Sequence, residues 1–228
     1  VYILGSLFLL ALLSCSSGAR FQSPPRDWTA NPAVVQVDTS ADIFAIGDLH
    51  ADYDTAVSLL SAAKLIAPAP LSPKAVKWIG GNAVLVCTGD LIDKYTQNLA
   101  LLDLFITLQG AAAAASGRVI VTLGNHEAEF LANPTSSNSK ADAFLTELSN
   151  AGIAPADVGS GKNVYGQFFL SLPVSARVRD WFFSHAGNTG GRTLSQLVQD
   201  VQTGVDSGGY GAPILSDADS ILEARLGS

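Results

Sequence analysis

At 228 residues, with 48% hydrophobic and 14% charged residues, the chain has the length and apolar content of one globular domain, which excludes disordered, collagen-like and disulfide-stapled small proteins. With 13 Lys and Arg against 20 Asp and Glu, the net charge of -7 leaves a surface that repels nucleic-acid phosphates, so no nucleic-acid partner is expected. Cys15 and Cys87 are too few for a disulfide framework, and Cys87 reads as a buried free thiol.

Tyr2 to Leu13 form an apolar run shorter than the roughly 20 residues that span a bilayer and close to a signal-peptide core. Small residues at Ser17 and Ala19 suit cleavage before Arg20. Residues 1–19 therefore read as a signal peptide, incomplete because the chain lacks methionine even at position 1. The mature chain is then expected to be secreted or in the secretory pathway, with no stable membrane span; an N-terminal membrane anchor or a buried helix is the alternative. Residues 20–33, with Pro24, Pro25 and Pro32, read as an extended polar lead-in, and the folded domain is expected over 34–228.

From Val34 onward, short β-type runs alternate with helical ones. Strands are expected over Ile43 to Ile46, Ala83 to Cys87 and Val119 to Leu123, and helices over Tyr53 to Leu65 and Leu99 to Leu108. This alternation predicts βαβ units in an α/β fold. The Leu99 to Leu108 run has little polar face and should be covered on most sides, and Ala111 to Ala115 reads as a helix tail with a glycine cap at Gly117. Residues 133–161 mix polar loops with a short helix around Ala141 to Ser149 and read as a cap or insertion beside the active face. Phe168 to Leu172 and Val174 to Ser184 read as two strands of a hairpin in a second sheet, Thr193 to Val201 as a helix, and Gly204 to Pro213 as a glycine-rich loop.

Four polar clusters follow the four best strand candidates. They are Gly47-Asp48-Leu49-His50, Gly89-Asp90-Leu91-Ile92-Asp93, Gly124-Asn125-His126-Glu127 and Ser184-His185-Ala186-Gly187, and together they use all three histidines of the chain. The C-terminal edge of an open α/β sheet is where ligands bind. Carboxylate, imidazole and amide ligands projected together from that edge make a site for two divalent cations, with one carboxylate able to bridge them. A glycine before each of the first three ligands lets the backbone turn sharply off its strand.

These blocks resemble the calcineurin-like metallophosphoesterase superfamily. Asp93 followed by a basic residue, and His126 followed by Glu127, resemble its phosphoprotein-phosphatase branch, closest in pattern to Shewanella-like phosphatases. The resemblance covers roughly Ile43 to Arg225 and implies an α/β sandwich of two mixed sheets flanked by helices. It implies that Asp48, His50 and Asp90 hold one metal and Asp90, Asn125 and His185 a second, the ions being Mn, Fe or Zn. A water shared between two such cations loses a proton easily and would attack phosphorus in line. His126 would protonate the leaving group, and Asp93 would fix its tautomer. Lys94 stands where the family usually has an arginine, and Arg225 lies in a segment where relatives bind phosphate; with Asn125, both are candidates for contacting substrate phosphate. Relatives complete the second metal's ligands with a further histidine, whereas none follows His185 here. The chain is therefore expected to be a fragment truncated at the C-terminus; the other reading is a degenerate homologue, in which Asp217 or Asp219 would substitute as an oxygen ligand although nothing in the sequence places either near the metals. The implied activity is hydrolysis of phosphomonoesters on a protein or small molecule. The alternatives are a diadenosine tetraphosphate-type pyrophosphohydrolase, or a degenerate binding homologue without catalysis.

Overall fold

A computed structural model of the chain describes residues 21–136 and 141–225; the signal-peptide segment read in residues 1–19 lies outside them. The strands are β1 (Val34–Val37), β2 (Ile43–Ile46), β3 (Val84–Cys87), β4 (Arg118–Val121), β5 (Ser175–Val178) and β6 (Trp181–Ser184). The helices are α1 (Tyr53–Ala62), α2 (Asn98–Ala114), α3 (Asn125–Ala132), α4 (Asp142–Asn150), α5 (Pro155–Gly159), α6 (Val164–Ser171), α7 (Leu194–Gly208) and α8 (Pro213–Ser216). Among the described residues, no helix is long and apolar enough to cross a membrane.

The strands form two sheets. In one, β2, β3 and β4 run parallel; in the other, β5 pairs parallel with β1 and antiparallel with β6. Only the second sheet is mixed, while the first is wholly parallel. The side-chain alternation of β3 explains how they stack. Val84 and Val86 pack with Ile120, Ala176 and Val178 between the two sheets. Leu85 and Cys87 point the other way, into a larger core with Leu101, Leu104, Phe105 and Leu108 of α2. A parallel strand covered on both faces needs no polar residue, and all four residues of β3 are buried. The register sets Ile46 beside Cys87 and Cys87 beside Val121, so the three loops that follow leave the sheet at one edge.

Several elements depart from the sequence-based expectation, each for a local reason. Helix α2 carries the alanine run as its tail, as expected, but ends in a Schellman motif in which Ser116 donates to the Ala113 carbonyl and Gly117 to that of Ala112. The left-handed residue is Ser116 (φ 63), one before the expected glycine. Phe168 to Leu172 are not a strand. They lie mostly in α6, capped by the Asn163 side chain on Gly166 N–H, with the Phe169 ring among those of Phe130 and Phe144. A short apolar run carries no period that separates the two structures. The whole hairpin, β5 and β6, falls inside Val174 to Ser184, turning at Arg179 (φ 53). Helix α7 starts in a Thr193–Gln196 capping box and runs to Gly208, taking half of the expected glycine-rich loop, because Leu197, Val201 and Val205 continue one apolar face. The lead-in has no regular structure but is packed: Arg26 donates to Tyr210 Oη and the Ser171 carbonyl, and Trp28 Nε1 to Asp206.

Candidate metal centre

Ten non-glycine residues among those described have positive φ, and six of them, Asp48, His50, Ala51, Asp90, Asp93 and Lys94, lie in the loops after β2 and β3. Such conformations cost about 1–3 kcal/mol each and persist only where the surroundings hold them. Here the two loops are tied to each other: Asp48, His50 and Ala51 donate backbone N–H groups to the carbonyls of Gly89, Asp90 and Leu91. The loop after β4 presses against them at Gly89 (φ 89) and Gly124, where a Cβ on either would strike the backbone of the other loop. Glu127, fully buried, joins all of it. Its carboxylate accepts from the backbone N–H of Gly124, Asp90, Leu91 and Ile92 at 2.8–3.1 Å. Burial pushes this carboxyl up to about 7, with the charge of Asp90 adding, while the backbone donors pull the other way.

Asp90 sits at the centre. Its Oδ1 accepts from His126 N–H, and its Oδ2 lies 3.3, 3.5 and 3.8 Å from Nε2 of His50, His185 and His126. Two clusters with ligand atoms mutually within 4.8 Å share it: His50, Asp90 and His126, and Asp48, Asp90 and His185. The structure thus brings Asp48 to His185, 3.7 Å from its Nδ1, rather than grouping it with His50. Donor chemistry fits divalent cations. Nδ1 of His50 meets the Ile92 carbonyl at 3.2 Å and Nδ1 of His185 the Thr88 carbonyl at 3.0 Å; a carbonyl only accepts, which assigns the proton to Nδ1 and leaves the Nε2 lone pairs facing Asp90. Asn125 adds a second sign: its Nδ2 donates to Glu223 at 2.9 Å, and its buried Oδ1 has no hydrogen-bond partner. An amide oxygen so oriented is a ligand position, and mixed oxygen and imidazole donors suit Mn, Fe or Zn.

The other candidates fall as follows. His126 Nδ1 faces Asp93 Oδ2 at 3.5 Å, and its ring meets His50 edge-on at 4.8 Å. Burial pushes the His126 imidazole below the usual histidine range; Asp90 and Asp93 oppose this, and His50 and Lys94 add to it. Lys94 Nζ lies 2.6 Å from His50 Nε2, at the edge of the cluster. Arg225 lines a cavity of about 610 Å³ together with Asn125, Glu129, Tyr210 and Glu223. Asp217 and Asp219 are exposed and line a different cavity, and neither joins the metal clusters.

The model of the calcineurin-like phosphoesterase family matches residues 41–218, more than three-quarters of the sequence. The chain belongs to this family. It is 28% identical over 148 residues to Shewanella-like protein phosphatase 1 of Plasmodium berghei, covering 64% of the chain and 38% of that relative. Shewanella-like protein phosphatase 2 of Arabidopsis thaliana is 29% identical over 105 residues, 45% of the chain and 25% of the relative. The chain thus spans well under half the length of these curated relatives. Among solved structures, the cold-active protein-tyrosine phosphatase of a psychrophilic Shewanella superposes with a TM-score of 0.66 at 20% identity, over 90% of this chain and 60% of that one. At such identity the likeness shows the fold: calcineurin-like, with two sheets and flanking helices.

Four residues of the centre escape the sequence reading. Glu127 is visible there only as a motif letter, though a glutamate three residues after a helix-entry glycine is half of a capping box. Glu223 and Glu147 carry no local signal, because their partners lie 98 and 49 residues away, and Asn98 ties Asp93, five residues back, to that distant Glu147.

Proposed function

We propose that this chain is a metal-dependent phosphatase that hydrolyses phosphomonoesters of a protein or small molecule, using two divalent cations held by Asp48, His50, Asp90, Asn125 and His185. The observation that carries the reading is one carboxylate oxygen, Asp90 Oδ2, within 3.8 Å of three imidazole nitrogens. When bound, the cations supply an activated water and positive charge for the phosphoryl oxygens. Asp90 keeps the two ligand groups at a fixed separation, and Glu127 keeps its loop from relaxing. Asp93 faces His126 Nδ1 and so directs Nε2 of that ring toward the centre, where it can give a proton to the departing oxygen. A pKa lowered by burial makes the imidazolium a stronger donor in that step. Segment 133–161 acts as a cap beside this pair, and the apolar run of residues 2–13 supports a site of action in the secretory pathway.

The test is Mn²⁺-dependent hydrolysis of p-nitrophenyl phosphate by the 228-residue chain, with His126→Ala in parallel. Metal-dependent turnover, slowed about 10²-fold or more in the variant, is the expected result. A folded protein that binds metal without turnover would make it a binding homologue. Cleavage of a dinucleoside polyphosphate but of no phosphomonoester would move the reaction to pyrophosphate linkages.

A further inference from the structure

Helix α2 begins without a side-chain cap of its own, and so does α4. Both N-termini nonetheless receive a carboxylate, each from across the fold. Glu147, on α4, accepts from the backbone N–H groups of Asn98 and Leu99, the first two residues of α2, at 2.7 and 3.0 Å. Asp93 Oδ1, in the loop leading to α2, accepts from Ala143 N–H in the first turn of α4 at 2.8 Å. The two helices therefore cap one another, in the way helix N-termini bind anions.

The connection between these caps is Asn98, which is fully buried. Its Nδ2 donates to Glu147 at 2.8 Å and to the Tyr95 carbonyl at 3.2 Å, which fixes the amide. Its Oδ1 then accepts from Asp93 N–H at 2.6 Å. Asp93 itself has φ 70 and needs such an anchor. Its second oxygen, Oδ2, faces His126 Nδ1. A continuous path thus runs from the α4 helix to the ring of the proton donor.

We propose that Glu147 is a positioning residue for the His126–Asp93 pair, acting through Asn98, and that α4 is the element that sets the aim of the proton donor. This rests on the reading of His126 as the acid. A misaimed acid is felt most where the leaving group most needs a proton. An alkyl phosphate such as glycerol 2-phosphate expels a basic alkoxide, whereas p-nitrophenolate leaves with little help.

The experiment compares kcat for the two substrates in the wild type, Glu147→Ala, Glu147→Gln and, as a destabilised control, Leu148→Ala, with bound metal counted and the ring ¹⁵N signals of His126 recorded. Leu148 is fully buried on the same helix and outside the path. The expected result is an alkyl-to-aryl rate ratio lowered about tenfold in Glu147→Ala, less in Glu147→Gln, and unchanged in Leu148→Ala, with metal content equal throughout. The His126 Nδ1 signal should shift in the Glu147 variants and stay in Leu148→Ala. If Glu147→Ala does not fold, Glu147→Gln gives the same reading. An unchanged ratio with an unchanged His126 signal in the Glu147 variants would overturn the proposal. A wild type without metal-dependent turnover would sink the phosphatase reading instead, and the His126 signal would still decide whether Glu147 positions the ring.

Discussion

Replacing Asp90 by asparagine separates metal binding from folding. The backbone N–H of His126 holds Oδ1, so the amide oxygen takes that place and the NH₂ group takes the place of Oδ2. There it meets Nε2 of His50, His185 and His126, and donates toward lone pairs where the carboxylate offered one to a cation. The metal-free protein keeps its hydrogen bonds, so its melting temperature should stay within about 2 °C of the wild type. The cation response should not survive. Saturation to about 100 times Kd stabilises a folded protein by about 2.7 kcal/mol, which for a domain of this size raises Tm by about 5–11 °C per bound ion. In Asp90→Asn that rise should fall below about 2 °C, and turnover of p-nitrophenyl phosphate should drop about 10³-fold or more, equivalent to about 4 kcal/mol. Thermal melts over a Mn²⁺ titration, with activity measured on the same samples, read both quantities. A variant that keeps the full Mn²⁺ shift and more than about a tenth of the activity would refute the placement of Asp90 as the shared ligand.

Lys94→Ala removes an ammonium that lies on His50 Nε2, so Mn²⁺ should bind as tightly or more tightly while KM for a phosphomonoester rises; calorimetry showing weaker Mn²⁺ binding would contradict the geometry. Burial pushes the Cys87 thiol up, with a backbone hydrogen bond from Gly89 opposing and the charges of Glu127, Asp48 and Asp90 adding. The folded chain then retains a proton that the unfolded chain loses above its ordinary value of 9.0, so unfolding free energy should fall by about 1.4 kcal/mol per pH unit there. Urea unfolding between pH 8 and 10 should show that extra slope in the wild type and not in Cys87→Ala, and equal slopes would be the contrary result.

The clustering of the candidate ligands was legible because each follows an apolar strand within a few residues, and the parallel register of β2, β3 and β4 brings three of those strand ends together. Asp48, His50, Asp90, Asn125, His126 and His185 were readable for that reason. Helix α6 was not, since Phe168 and Phe169 read equally well as strand, and only the rings of Phe130 and Phe144, which come from α3 and α4, show which face is buried. The contact of Lys94 was not legible for a different reason: a charge beside a motif suggests an anion, and only the structure shows its Nζ 2.6 Å from His50 Nε2. Glu147 and Glu223 act over long separations, which no local pattern records.

The first turn of α3 makes the spacing of the Gly-Asn-His-Glu block matter. Successive helical residues point about 100° apart, so Asn125, His126 and Glu127 face three directions from one turn. Asn125 turns to Glu223, His126 to Asp93 and His50, and Glu127 back into the loops after β3 and β4. An inserted residue would rotate all three at once, moving the Asn125 amide, the His126 ring and the loop clamp together. Substituting Glu127 alone strikes at the clamp: a glutamine has one carbonyl oxygen for the four backbone N–H groups that the carboxylate now serves with two, so about two buried donors would lose their partners at about 1–3 kcal/mol each. The carboxylate's cost of burial is therefore tied to the strained conformation of the ligand loops. It is the group that holds Asp90 at positive φ while that residue presents its oxygen to the histidines.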